Sequence, residues 1–140
     1  MTRKIIEYGF DELKKVSHEI GEMLLKSKVL LLYGDLGSGK TTFTKSIVEN
    51  LGGDPQNVTS PTFNLVHIYD VKKFKIWHFD LYRIKSEKEL LNIGIEDAME
   101  DGILIIEWGE IAEKLLKKNY LKAHIEFTND EFHRRLILDY

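Results

Sequence analysis

The stretch "GDLGSGKT", Gly34 to Thr41, sets three glycines, a lysine and a hydroxyl at the spacing G-x-x-x-x-G-K-[ST]. Residues of these types at this spacing can hold a polyphosphate. Glycines let backbone amides turn inward and approach phosphate oxygens without a side-chain clash. Lys40 adds a fixed positive charge for the outer phosphates, and the Thr41 hydroxyl can bind magnesium. A helix opening near Lys40 would aim its positive dipole end at the same anion. A guanine-reading N-K-x-D element is missing, since "KKNY" lacks the aspartate, so ATP is favoured over GTP.

A phosphate loop of this kind needs an acid on a neighbouring strand, close to the magnesium ion. Two segments end in one: "KIWHFD" at Asp80 and "ILIIE" at Glu107. Ligands of open α/β sheets bind at the carboxyl ends of strands, which is where both acids would lie. Spacing alone leaves open which of them touches the metal. One could act directly or through water while the other orients the attacking water.

The elements that must position these groups follow from periodicity. "DELKKVSHEIGEMLLKS" carries apolar residues at Leu13, Val16, Ile20, Met23 and Leu24, the stripe of an amphipathic helix with Asp11 as N-cap. "KVLLLYG" is a continuous apolar run and predicts a central strand covered on both faces. "KTTFTKSIVENLGG" predicts a helix with Phe43, Ile47 and Leu51 inward and Gly52 as its left-handed stop. "NLVHIYD" and "KFKIWHFDLYR", separated by "DVKK", predict a hairpin. Ser86 and Glu89 have capping-box spacing and open another helix. "ILIIEW" predicts a second buried strand, and "GEIAEKLLKK" a short helix with Ile111, Leu115 and Leu116. "KAHIEF" and "RRLILDY" flank "TNDEFH" as a closing hairpin. Alternating strands and helices argue for an α/β layered domain, and the hairpins make its sheet mixed.

At 140 residues the chain fits a single domain spanning 1–140. It has no cysteine, which excludes disulfides and thiolate metal sites. No apolar run approaches the roughly 20 residues that cross a bilayer, and "MTRKIIEYGF" lacks a signal-peptide core, so a cytoplasmic protein without membrane contact is expected. A net charge of −3 carries no basic footprint for direct nucleic-acid binding. The lysines at 72, 73 and 75, and at 117, 118 and 122, read as solvated faces.

Taken together, "YGDLGSGKTTF", "SPTFNLVHIY", "HFDLYR" and "ELLNIGIEDAMEDGILIIEWGE", in this order, resemble the TsaE family, also called YjeE. The resemblance runs from Leu30 to about Glu110. It implies a three-layer P-loop NTPase-like fold and a Mg2+-dependent ATPase. Such an ATPase is needed to make threonylcarbamoyladenosine in tRNA, beside the anticodon. It implies TsaB and TsaD as partners, with the transfer itself attributed to TsaD and tRNA reached through the complex. Carried over by motif, Gly37, Ser38, Gly39, Lys40, Thr41 and Thr42 would hold the phosphates. Thr41 and Glu107 would bind magnesium, and Asp80 would be a catalytic or metal-shell acid. Trp108 belongs to the family's E-W pair, as an aromatic anchor or as a functional residue. The resemblance also suggests an arginine of the last strand near the nucleotide, assigned here to Arg135.

Other candidates rest on local context. Pro61 fixes the backbone of "SPTF", and Thr62 is read as a sensor of the terminal phosphate or as a turn residue. His78 alternates with Trp77 and Phe79, which favours a packed or edge histidine over a catalytic one. Arg83 is either a phosphate neighbour or a surface ion-pair residue. "EYGF", Glu7 to Phe10, is a candidate adenine lining. The competing function is a small kinase for a metabolite, but little chain is left for an acceptor pocket and a lid.

Overall fold

Two apolar runs dominate the interior. The computed structural model describes residues 1–62, 64–116 and 119–140. Strand β2 (Val29–Gly34) pairs in parallel with β5 (Ile103–Glu107), all five residues of which are buried. The other strands are β1 (Arg3–Gly9), β3 (Val66–Asp70), β4 (Lys75–Asp80), β6 (Leu121–Phe127) and β7 (His133–Asp139). They form one seven-stranded sheet in the order β1-β7-β6-β2-β5-β4-β3. The pairs β6–β2, β2–β5 and β5–β4 are parallel, while β3–β4, β6–β7 and β1–β7 are antiparallel. The expected mixed sheet with two hairpins is therefore present.

Helices cover both faces: α1 (Leu13–Ser27), α2 (Lys40–Asn50), α3 (Glu87–Asn92), α4 (Ile95–Asp101) and α5 (Glu110–Glu113). Strand alternation divides the core in two. Leu30, Leu32, Ile103 and Ile105 face α1 and α2 with Ile20, Leu24, Phe43 and Ile47. Leu31, Leu104 and Ile106 face the other layer with Leu90, Ile95 and Ala98. The β2–α2 connection thus arrives at the carboxyl end of the sheet's middle strand.

Several boundaries differ from the sequence reading, each for a local reason. β1 is an additional strand; it lies at the sheet edge and is exposed over most of its length, so "RKIIEYG" carries little burial signal. The first helix starts at Leu13, because Phe10–Glu12 forms a 3-10 turn in which Glu12 accepts from the Gly9 amide at 3.1 Å. Asp11 lies inside that turn rather than at an N-cap. Gly52 does adopt a left-handed φ of 96°, just past the end of α2. The Ser86 hydroxyl caps α3 by accepting from Glu89 N at 3.2 Å, but the Glu89 carboxylate accepts from Lys85 N instead of closing a capping box. α4 is a further helix beyond "SEKELLNIG", begun after Gly94 at φ 83°. α5 stops at Glu113; Lys114 and Leu115, expected to continue it, form a turn, and Lys117 and Lys118 lie outside the described residues.

Two buried tyrosines tie this core to pH. Tyr8 packs against Phe43 at 6.1 Å between ring centres, and burial pushes its hydroxyl up from 10.0 to about 12, partly offset by Arg134. Burial raises Tyr69 to about 12 as well, against a lowering hydrogen bond to the Thr59 backbone. Above pH 10 the unfolded chain loses these protons first. The folded state then binds more protons, and stability falls as pH rises. The thermal midpoint is expected to drop between pH 10 and about 12, and Tyr8→Phe, which keeps the ring packing, should lessen the drop. An equal drop in the variant would remove Tyr8 from this account.

Candidate phosphate and metal site

The loop between β2 and α2 is shaped by its glycines. Gly37 and Gly39 have φ of 80° and 106°, and a Cβ at either would meet nothing within 4 Å. Their inner sides therefore remain open. Gly34 is required for a different reason: a Cβ there would sit 2.5 Å from Ser38 Oγ and 2.9 Å from the Ile125 carbonyl oxygen. Ser38 is fully buried, and its Oγ has no hydrogen-bond partner among the described residues. An orphaned buried hydroxyl beside an open glycine cradle fits a loop built to receive an oxygen-rich anion. The first turn of α2 begins at Lys40, so its free amides face the same space.

Lys40 Nζ donates to the Gly34 carbonyl oxygen at 2.7 Å and lies 3.9 Å from Glu107 Oε1. Glu107 ends β5 and Asp80 ends β4, and the two are direct register partners across the parallel pair. They are 4% and 5% exposed, so two carboxylates stand side by side in the interior rather than at a solvated edge. Asp80 is well held: Oδ2 accepts from Thr62 Oγ1 at 3.0 Å and Oδ1 from Tyr82 N at 2.9 Å. Thr62 Oγ1 lies 2.7 Å from Ser60 Oγ. Having given its hydrogen to Asp80, Thr62 accepts from Ser60. Glu107 Oε2 is 2.6 Å from His78 Nε2.

These groups line one cavity of about 590 Å³. Gly37, Gly39, Lys40, Thr41 and Thr42 line it together with Ser60, Thr62, Asp80 and Glu107, and Leu36, Tyr82 and Trp108 complete the lining. Trp108 is 45% exposed, has a left-handed φ of 55°, and meets Tyr82 edge-on at 4.9 Å between ring centres. Lys40 Nζ lies 5.8 Å from the Trp108 ring centre. Trp108 is thus a lining residue and not a core anchor. The cavity pairs an anion cradle and a lysine with two acids. That donor set suits a polyphosphate carrying a hard divalent cation, which prefers oxygen ligands.

The chain as a whole has matches among known proteins. The family model described as "Threonylcarbamoyl adenosine biosynthesis protein TsaE" matches residues 9–137. The chain belongs to the TsaE family. Proteins named tRNA threonylcarbamoyladenosine biosynthesis protein TsaE resemble it from distant bacteria. That of Rickettsia felis is 38% identical over 120 residues, covering 86% of this chain and 70% of the relative. That of Borreliella burgdorferi is 45% identical over 96 residues, covering 67% and 69%. The crystal structure of YdiB from Bacillus subtilis superposes with a TM-score of 0.69 at 26% identity, covering 99% of this chain and 86% of that one.

Within this TsaE-family fold the sequence-derived residues separate into two groups. Lys40, Thr41, Thr42, Thr62, Asp80, Glu107 and Trp108 converge on the cavity with the loop glycines. Arg135 does not join them: its guanidinium donates to Glu7 Oε1 at 2.9 Å, and it lines a separate cavity with Asp130 and His133. Alternation along β7 explains the correction, because neighbouring residues point to opposite faces. Arg134 is the one that reaches the loop, donating from Nε to the Ser38 carbonyl oxygen at 3.1 Å. Its guanidinium also lies over Phe127 at 4.8 Å and donates to the Glu131 and His133 carbonyl oxygens. In "EYGF", Glu7 and Tyr8 lie on β1, with Tyr8 in the core; none of the four lines the main cavity. Ser60, Tyr82 and Leu36 are further lining residues, each inside a quoted motif but not singled out there as a site residue.

Gly34→Ala should lower the unfolding free energy by about 1–3 kcal/mol, since either Ser38 or the β6 backbone must move. Urea denaturation measures this, and an unchanged midpoint would contradict the close approach at Gly34.

Proposed function

We propose that this chain binds Mg-ATP in the 590 Å³ cavity and hydrolyses it in support of threonylcarbamoyladenosine formation on tRNA, acting with TsaB and TsaD. The observation that carries the chemistry is the meeting, in one cavity, of the open glycine loop and Lys40 with two buried strand-end carboxylates. Family membership supports the pathway. Among the described residues no helix is long and apolar enough to cross a membrane, and the net charge of −3 favours tRNA contact through partners.

Each residue then has a task. Gly37, Ser38 and Gly39 present backbone amides to the phosphates, together with Thr41 and Thr42 at the start of α2. Lys40 exchanges its bond to the Gly34 carbonyl for phosphate oxygens. The Thr41 hydroxyl and the Glu107 carboxylate hold magnesium, which when bound neutralises charge on the outer phosphate oxygens. Asp80, fixed at both oxygens by Thr62 and Tyr82, orients the attacking water. Thr62 reports the terminal phosphate to Asp80 through their shared hydrogen bond. Trp108 and Tyr82 form a wall whose outer side is open to a ligand or partner protein.

The purified protein is expected to hydrolyse ATP slowly and to be accelerated by TsaB with TsaD. Lys40→Ala and Glu107→Ala should each reduce hydrolysis by about 10²–10³-fold, the scale of losing a charge-stabilising group. Neither should support tRNA modification in a reconstituted system. Full activity with unchanged magnesium dependence in Glu107→Ala would defeat the metal assignment. Phosphate transfer to a small metabolite without TsaB and TsaD would favour the kinase reading instead.

A further inference from the structure

We infer that His78, held by Tyr69, is a positioning residue that fixes the Glu107 carboxylate for the cation of the nucleotide. The inference deepens the proposed function and rests on its magnesium role for Glu107. The three residues lie on a diagonal across three adjacent strands. Tyr69 of β3 faces the same side as His78 of β4, and His78 the same side as Glu107 of β5. Diagonal neighbours of this kind are within reach of ring side chains. Tyr69 Oη is 2.8 Å from His78 Nδ1, and His78 Nε2 is 2.6 Å from Glu107 Oε2. His78 is 0% exposed, so it has no solvent alternative to these two partners.

Hydrogen counting assigns the direction of the bond. A magnesium ligand is an ionised carboxylate, which only accepts, so His78 Nε2 must carry the hydrogen and donate it. Tyr69 can satisfy Nδ1 in either ring state. It donates to a neutral ring, or it accepts from a doubly protonated ring while donating to the Thr59 carbonyl oxygen at 3.2 Å. In both cases Oε2 of Glu107 is occupied by His78. The other oxygen, Oε1, is then turned toward Lys40 at 3.9 Å, on the cavity side. Ring-to-carboxylate bonds of this type orient metal-binding groups, and their loss typically weakens metal affinity about 10–100-fold.

The contact to Thr59 adds a connection. Thr59 lies three residues before Thr62, which bonds Asp80. The loop carrying Thr62 is therefore fastened to both acids, to Asp80 directly and to Glu107 through Tyr69 and His78.

The test is ATP affinity measured by calorimetry, with magnesium and with EDTA, for the intact protein and three variants. The magnesium gain, the ratio of the two affinities, is the readout. His78→Leu should lose about 10–100-fold of that gain while its affinity in EDTA stays at the wild-type value. His78→Gln, which keeps an N–H donor, should retain most of the gain. Tyr69→Phe removes one atom, preserves the packing, and should lose about 2–10-fold, the scale of one hydrogen bond. The inference is overturned if His78→Leu and Tyr69→Phe both keep the wild-type gain. Equal losses with and without magnesium also overturn it, because packing damage alone produces them. A wild-type protein with no magnesium gain overturns the magnesium role of Glu107, and this inference with it. A normal wild-type gain with unaffected variants overturns the inference alone.

Discussion

Two carboxylates buried next to each other, Asp80 and Glu107, are the constraint around which the molecule is organised. Taking a single ionised carboxylate out of water is costly, and two neighbouring ones repel. Each must be met by hydrogen-bond donors or by positive charge. The structure supplies Thr62 and Tyr82 N to Asp80, and His78 with the more distant Lys40 to Glu107. These donors come from the loop before β3, the turn after β4, the middle of β4 and the start of α2. Three stretches of chain, at Lys40, at Thr62 and at His78 to Tyr82, are thereby required to meet at one end of the sheet. A cation between the phosphates and these acids would relieve the same repulsion, which makes binding energy and fold two aspects of one electrostatic arrangement.

The sheet is what holds the two acids in register. β4 and β5 are parallel and paired from Ile76–Ile103 through Asp80–Glu107, and a slip of one residue would turn every side chain to the opposite face. The slip is prevented by burial on both faces, where the residues of β5 alternate between the two halves of the core. The apolar run before Glu107 is thus a positional device: it fixes the height and the direction of the acid that follows it.

Much of this was legible in the chain itself. The glycine loop, the two strand-end acids and the central strands are strong local patterns, because a polyphosphate site demands particular residues at fixed spacing. The edge strand β1 was not legible. An exposed strand takes its stability from backbone pairing with β7, and "RKIIEYG" carries little apolar periodicity. Arg134 and Arg135 could not be told apart by type, only by which face of β7 each occupies, and that depends on a register set elsewhere in the sheet. His78, read as a packed or edge residue, is packed. Its bond to Glu107 needed the strand order β3-β4-β5, which periodicity does not supply.

The contact between Arg134 and the Ser38 carbonyl joins residues 96 positions apart in the chain. β2, which carries the phosphate loop, pairs on one side with β6, and β6 and β7 follow every other strand in sequence. During synthesis the loop therefore emerges long before the strand beside it and the arginine that ties it down. Contacts of such sequence separation form late, since the intervening chain must be ordered first. A nascent chain that has reached β5 already contains the lysine and both acids, yet lacks β6 beside β2 and the arginine that bonds the loop. The loop has its full set of neighbours only once the last two strands have joined the sheet.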